Sequence, residues 1–134
     1  MLENCVEEKI KANSSTKLIG VTMLTSFDDK EINEIGIDRN VKENVNLLSG
    51  LAESCKLDGI VCSPHEILNI RKKFKLEVIT PGIRMNESQT DDQKRTLTAK
   101  ESLKACADIL VVGRPITQAD SPSDAARYIY ESIQ

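Results

Sequence analysis

Four short β-prone runs alternate with helix starts along this chain, and that alternation constrains the fold more than any other feature. The runs are residues 18–24, 59–62, 77–80 and 108–112. The first, Leu18-Ile19-Gly20-Val21-Thr22-Met23-Leu24, is nearly continuous in apolar residues. Such a run suits a parallel strand covered on both faces. Ahead of it, Leu2, Val6 and Ile10 recur four apart and predict a helix over residues 2–12.

The helix starts are written in caps. A Ser26 cap predicts a short helix over residues 28–35, and a longer one over 39–55 turns Val41, Val45, Leu48, Ala52 and Cys55 inward. In Ser63-Pro64-His65-Glu66 the serine can cap, the proline has its φ preset, and the glutamate can reach back. That helix is expected to run to about Phe74. Thr98-Ala99-Lys100-Glu101 is a second capping box, opening a helix to about Ala105. Ser121-Pro122-Ser123-Asp124 opens the last helix, on which Ala125, Ile129 and Ile133 recur four apart. Each cap is worth about 1 kcal/mol. The connection from Pro81 to about Leu97 is long for a compact domain, a length that often signals function.

The order is one helix and then four βα units in a single domain, residues 1–134. It implies an α/β fold with a parallel sheet and right-handed crossovers. Four such units can form an open sheet with helices on both faces. They can also form half of an eight-stranded barrel, with every helix outside and the inner face and two edges unpaired. The pattern alone leaves both open. No GxGxxG or GxxxxGK[ST] loop follows a strand, so a dinucleotide or nucleoside-triphosphate fold has no support.

Composition removes further classes. A net charge of −3 argues against a broad nucleic-acid surface, and four aromatics with no Trp argue against base-stacking platforms. No apolar run reaches membrane-spanning length, and Met1-Leu2-Glu3-Asn4 does not read as a signal peptide. The expected location is cytoplasmic. Cys5, Cys55, Cys62 and Cys106 form no CxxC pair and read as reduced, structural thiols. No metal site and no cofactor are expected.

Two strand endings carry the chemistry. Thr80-Pro81-Gly82-Ile83-Arg84 and Val111-Val112-Gly113-Arg114 each follow an apolar run with a glycine and then an arginine. Glycine lets a backbone approach a ligand closely. Arginine supplies a fixed charge and a fork that matches phosphate or carboxylate. Two such endings in consecutive βα units suggest an anion site at the carboxyl ends of parallel strands. There (β/α)₈ barrels hold phosphorylated substrates.

Five segments together resemble the carboxyl-terminal half of the orotidine 5′-phosphate decarboxylase family. They are Leu18–Ser26, Leu57–Ser63, Thr80–Arg84, Asp92–Arg95 and Ala107–Thr117, in the family's order and spacing. The resemblance implies a TIM-barrel (β/α)₈ fold, here about half a barrel with four parallel βα units corresponding to strands five to eight. It implies a cofactor-independent carboxy-lyase that converts orotidine monophosphate to uridine monophosphate and CO₂ in pyrimidine biosynthesis. The family's Asp-x-Lys-x-x-Asp signature, source of its catalytic lysine and aspartates, does not occur in this sequence. Met1 falls where an ordinary member has an internal residue of the helix before strand five. The expectation is therefore a truncation, split gene or half-length piece that supplies phosphate and pyrimidine binding, with no catalytic residue of its own and no activity in isolation.

The resemblance places Arg114 and the Gly113 N–H on the phosphate, against the plainer reading of a structural arginine after a strand. It places Arg84 in the ligand site, against a solvent-exposed loop arginine. Gln93 falls in the family's phosphate-closing loop, where its amide could join phosphate to pyrimidine edge. Thr25 and Ser26 fall where the family sets a hydroxyl against the pyrimidine; Ser26 also reads as a plain helix cap, so Thr25 is preferred. Pro81 could pack on the base. His65 has no nucleophile partner and reads as a surface residue. Lys94 and Arg95 could assist the phosphate electrostatically, though they read first as solvated loop charges, and Lys72-Lys73 reads as an exposed helix end. Cys106 stands where the family commonly has glycine, which touches local stability rather than binding. Met23 replaces a small branched residue, a tolerable core change.

Expected partners are orotidine or uridine monophosphate and either a missing amino-terminal half or further copies of the chain. Nucleic acid and membrane are not expected. A non-catalytic phosphate-binding or self-assembling half barrel is the alternative; another ribulose-phosphate-type barrel is a third reading, which would not need the TPGIR–DQKR combination.

Overall fold

Caps locate the helices in the computed structural model of the chain, which describes residues 1–85 and 95–134. Helix α1 spans Leu2–Lys11 and strand β1 Ile19–Val21. Helix α2, Asp29–Glu34, starts on Asp28 rather than on the expected Ser26. The reason is reach: Asp28 accepts the Glu31 N–H and the Glu31 carboxylate accepts the Asp28 N–H in return. Ser26 has no glutamate three residues on. Helix α3, Val41–Ser54, is closed by the same box between Asn40 and Glu43.

Strand β2 is Gly59–Val61. Ser63 caps as expected, accepting the His65 N–H at 3.3 Å. Glu66 does not reach back, because a half-buried guanidinium claims its carboxylate. The segment opens as a 3₁₀ turn, Pro64–Glu66, and continues as α4, Ile67–Arg71, ending short of Phe74. Strand β3 is Glu77–Thr80. The connection after it holds a short parallel pair not foreseen from sequence, β4 (Ile83–Arg84) with β5 (Leu97–Thr98). The Thr98–Glu101 box opens α5, Ala99–Lys104. The fourth run pairs only over β6, Ile109–Leu110, since a short α6, Arg114–Thr117, follows closely. Helix α7 is Pro122–Ser132; the Ser121 hydroxyl bonds the Asp124 carboxylate instead of a backbone N–H.

The four main strands lie parallel in the order β1-β2-β3-β6. Register partners in a parallel sheet share a face, so Gly20, Ile60 and Val78 lie together on one side, with Thr80 and Leu110 next along it. This is the helix side. A Cβ on Gly20 would meet Leu57 and Ala52. Ile60 and Val78 are buried among Ile32, Val41, Val45, Ala52, Ile67 and Ile70, with Leu2 and Val6 packed against them. A smaller cluster of Ile83, Ala99 and Ile129 takes in Leu110, Val112 and Ile116. Every helix adds a side chain to one of these two clusters.

The opposite face carries Val21, Val61, Ile79 and Ile109, none of which belongs to either cluster. Val21 is 60% exposed and Ile109 44%. Ile79 between them is buried at 9%, so the architecture is the half barrel, with helices outside and an inner face exposed at its two outer strands. Among the described residues no helix is long and apolar enough to cross a membrane.

At the amino ends of the strands one device occurs twice. Lys56 and Cys106, each just past a helix end, take left-handed φ values of 61° and 74°. Asp58 and Asp108 then accept the N–H groups of Leu18 and Val78, each at 2.7 Å, stitching a neighbouring strand in place. Lys9 and Arg71 supply the counter-charges. Between strands the room is small: a Cβ on Gly59 would lie 2.6 Å from the Glu77 carbonyl oxygen, so only glycine fits there.

Candidate functional site

The strands β1, β3 and β6 lie parallel, and Thr25 and Ser26, Pro81, and Gly113 and Arg114 follow their carboxyl ends in turn. Thr25 and Ser26 sit in a tight turn that the Phe27 N–H closes on the Leu24 carbonyl at 3.2 Å. Thr25 is buried at 6% exposure and Ser26 is half-buried. At the β3 exit Gly82 has a φ of 78°, a left-handed bend that suits glycine and redirects the chain into β4. Pro81 beside it is half-buried.

Arg84 is not the solvated loop residue of the plainer reading: it is buried at 5% exposure. One of its guanidinium nitrogens donates to the Ile83 carbonyl at 3.0 Å. Arg84 lines a cavity of about 170 Å³ with Met85, Thr98, Lys100, Tyr128 and Ser132. Arg114 is not among the residues lining that cavity. Gly113 is exposed, Arg114 is half-buried, and the two lead into α6. A Cβ added to Gly113 would meet nothing within 4 Å, so the space above its backbone is open. Gln93 and Lys94 lie outside the described residues.

The largest correction concerns Arg95. Sequence favoured a solvated charge; the structure half-buries its side chain, at 15% exposure, against Glu66 at 9%. Its guanidinium donates to the Glu66 carboxylate at 3.1 Å and to the Leu24 carbonyl at 2.8 Å. Its own carbonyl accepts the Ser63 hydroxyl at 3.2 Å. One side chain thus ties together the loops after β1 and β2, immediately beside Thr25. No spacing rule foretells a pair 29 residues apart; the available signal was a glutamate at a helix start that the cap did not need.

The remaining candidates fall away from the rim chemistry. His65 is exposed, as expected of a surface residue. Lys73 donates to Asn46 at the surface. All four cysteines are free, and burial pushes the Cys62 thiol up to about 12, which leaves it unreactive at neutral pH. Among the described residues no group of three or more His, Cys, Asp or Glu side chains is placed to hold a metal ion.

Arginines, backbone N–H groups and hydroxyls on one rim can hold an anion and a hydrogen-bonding ring. The described rim offers no paired lysine and aspartate for proton delivery.

Comparison with known proteins agrees with this geometry. The family model described as orotidine 5′-phosphate decarboxylase / HUMPS family matches residues 1–129. Orotidine 5′-phosphate decarboxylase of Wolbachia pipientis subsp. Culex pipiens (strain wPip) is 47% identical over 121 residues, 87% of this chain and 52% of that protein. The protein of the same name from Erythrobacter litoralis is 42% identical over 95% of this chain and 57% of its own length. The crystal structure of orotidine 5′-phosphate decarboxylase from Lactobacillus acidophilus superposes with a TM-score of 0.77 at 30% identity, covering all of this chain and 58% of that one. The chain spans about half the length of the curated relatives it matches.

Proposed function

This chain belongs to the orotidine 5′-phosphate decarboxylase / HUMPS family, and from that premise we propose that it forms the nucleotide-gripping half of such a decarboxylase. The reaction replaces the C6 carboxylate of orotidine monophosphate by a proton, yielding uridine monophosphate and CO₂, without a cofactor. In this reading Arg114 and the Gly113 N–H hold the phosphate, with Arg84 and Gln93 completing the grip. Thr25, with Ser26 beside it, meets the pyrimidine edge, and Pro81 packs on the base. Phosphate binding away from the reacting carbon supplies energy that favours the transition state only if it is coupled to the chemistry. The lysine and aspartates of the Asp-x-Lys-x-x-Asp signature are not among these 134 residues.

The reading is supported chiefly by the family match over residues 1–129, and Thr25, Pro81, Gly113 and Arg114 each follow the carboxyl end of a strand in a parallel sheet. A cytoplasmic setting accompanies it, supported by four free cysteines.

Two measurements test the proposal. Calorimetric titration compares uridine monophosphate with uridine. A charge-assisted phosphate contact contributes roughly 1.5–3 kcal/mol, so the nucleoside should bind at least ~10-fold more weakly. Equal affinity would remove the phosphate site. Decarboxylation is then assayed with the chain alone and with an added polypeptide matching the amino-terminal half of a relative. Turnover is expected only in the mixture; turnover by the purified chain alone would overturn the division of labour.

A further inference from the structure

We propose that Arg95 is a positioning residue of the nucleotide site: through its clasp on Glu66 and on the Leu24 carbonyl it sets Thr25 for the pyrimidine edge. The inference deepens the nucleotide reading above and rests on it.

The link runs through one peptide unit. The Leu24 carbonyl accepts the Arg95 guanidinium at 2.8 Å and the Phe27 N–H at 3.2 Å. The second of these bonds closes the turn that presents Thr25 and Ser26. The Leu24 carbonyl and the Thr25 N–H belong to one planar trans peptide and point in opposite directions. Holding that carbonyl on Arg95 therefore fixes the Thr25 N–H on the side away from the guanidinium. The orientation of the Thr25 backbone follows from a side chain 71 residues beyond Leu24.

Arg95 is itself held at side chain and backbone. Its guanidinium donates to the Glu66 carboxylate at 3.1 Å, and its carbonyl accepts the Ser63 hydroxyl at 3.2 Å. Ser63 and Glu66 both belong to the segment after β2, and both are buried. Just beyond Arg95 the chain enters β5, whose partner β4 carries Arg84. Arg95 thus joins the turn that carries Thr25 to the strand pair that carries Arg84. Those are the residues assigned above to the pyrimidine and to the anion.

Stability alone does not account for this choice of side chain. An ion pair withdrawn from water gives up hydration, and an apolar pair of similar volume often replaces it without loss. The Arg95 Nε is buried with no hydrogen-bond partner among the described residues, an unpaired donor that a mere brace would not need. Toward Asp28, Asn40 and Lys42, Glu66 and Arg95 border a cavity of about 410 Å³, so packing does not enclose the clasp on that side. The guanidinium is located by its two acceptors, and one of them is the hinge of the Thr25 turn. A rigid fork offers a separate nitrogen to each acceptor; a lysine ammonium has one nitrogen for both.

Calorimetric titration with uridine monophosphate and with ribose 5-phosphate tests the assignment, since the second probe lacks the pyrimidine. In the Glu66→Leu/Arg95→Leu variant, uridine monophosphate should bind about 5–10-fold more weakly, and ribose 5-phosphate within about twofold of the unmodified chain. Arg95→Lys keeps a positive charge beside Glu66 and so guards against a misfolded variant; it should show the same split at a smaller size. Thr25→Val should weaken uridine monophosphate binding about fivefold in the unmodified chain and add nothing once the clasp is gone, the non-additivity of coupled residues. Three results overturn the inference alone and leave the nucleotide reading standing: unchanged uridine monophosphate affinity without the clasp, equal losses for both probes, or a Thr25→Val loss that persists at full size. An unmodified chain with no affinity for uridine monophosphate overturns that reading and this inference together.

Discussion

At the amino ends of the strands, Asp58 and Asp108 each grip the backbone of a neighbouring strand and a cation from an adjacent helix. At the carboxyl ends the side chains of interest stand on turns and short elements, and a single clasp, Glu66 with Arg95, ties the first two loops together. The first end repeats one local solution at two αβ junctions, those into β2 and β6. The second brings together residues distant in sequence that do not resemble one another. The contrast fits barrel architecture, in which one rim carries stability and the other carries binding. It says that damage at the two rims should register in different measurements.

The largest effect should come from the clasp. Arg95→Leu leaves the Glu66 carboxylate buried and unpaired, a change that costs about 3–5 kcal/mol in comparable sites. Denaturant unfolding should show it, and the Arg95→Leu/Glu66→Leu double variant should recover much of the loss. If the single variant unfolds like the parent, the clasp is not the brace described here.

Next, Arg114→Ala should weaken uridine monophosphate binding by roughly 10–100-fold, the equivalent of a charge-assisted bond of 1.5–3 kcal/mol. The loss should be larger in affinity than in thermal stability, because Gly113 is exposed and Arg114 only half-buried. A stability loss without an affinity loss would move Arg114 into the structural class occupied by Asp58.

The amino rim should fail with acid. The Lys9 ammonium and the Leu18 N–H hold the Asp58 carboxyl below its ordinary value. Burial pushes Asp108 up, but the Val78 N–H and the Arg71 guanidinium outweigh it and the net direction is also down. Carboxyls depressed in the folded state stabilise above their unfolded pKa, about 4, and that contribution disappears as pH falls through the folded values. Stability measured from pH 6 downward should therefore drop below about pH 4, and Asp58→Asn with Asp108→Asn should flatten that limb. An unchanged acid limb would detach these carboxyls from stability.

The smallest effect is a gain. Cys106 has a φ of 74°, where a side chain is disfavoured. Cys106→Gly should raise stability by about 0.5–1 kcal/mol and leave nucleotide affinity alone. Thermal melting against the parent reads it, and no gain would mean that the cysteine's own contacts offset the strain.

Much of this was legible in the chain. Capping boxes at Thr98 and the cap at Ser63 located helices because a cap is a local hydrogen bond between residues a few positions apart. Strand runs were visible because side-chain period and apolar content are local too. Boundaries shifted where competing partners existed: Asp28 displaced Ser26 because Glu31 could answer it. The rim residues were found through glycine and arginine at strand ends, and through the order of five segments.

The sequence by itself therefore determined the alternation of elements, their caps and the residue types at the strand tips, all of which depend on interactions within a few residues. Only the tertiary structure decided that Arg95 is half-buried on Glu66, that Arg84 turns into a cavity beside α7, and that Val21 and Ile109 stay exposed on one sheet face. Those outcomes depend on which surfaces meet across long stretches of chain, as in the Arg95 bonds to Glu66 and Leu24, 29 and 71 residues away. Burial, unlike a cap, is a property of the whole packed layer and is written in no single stretch of residues.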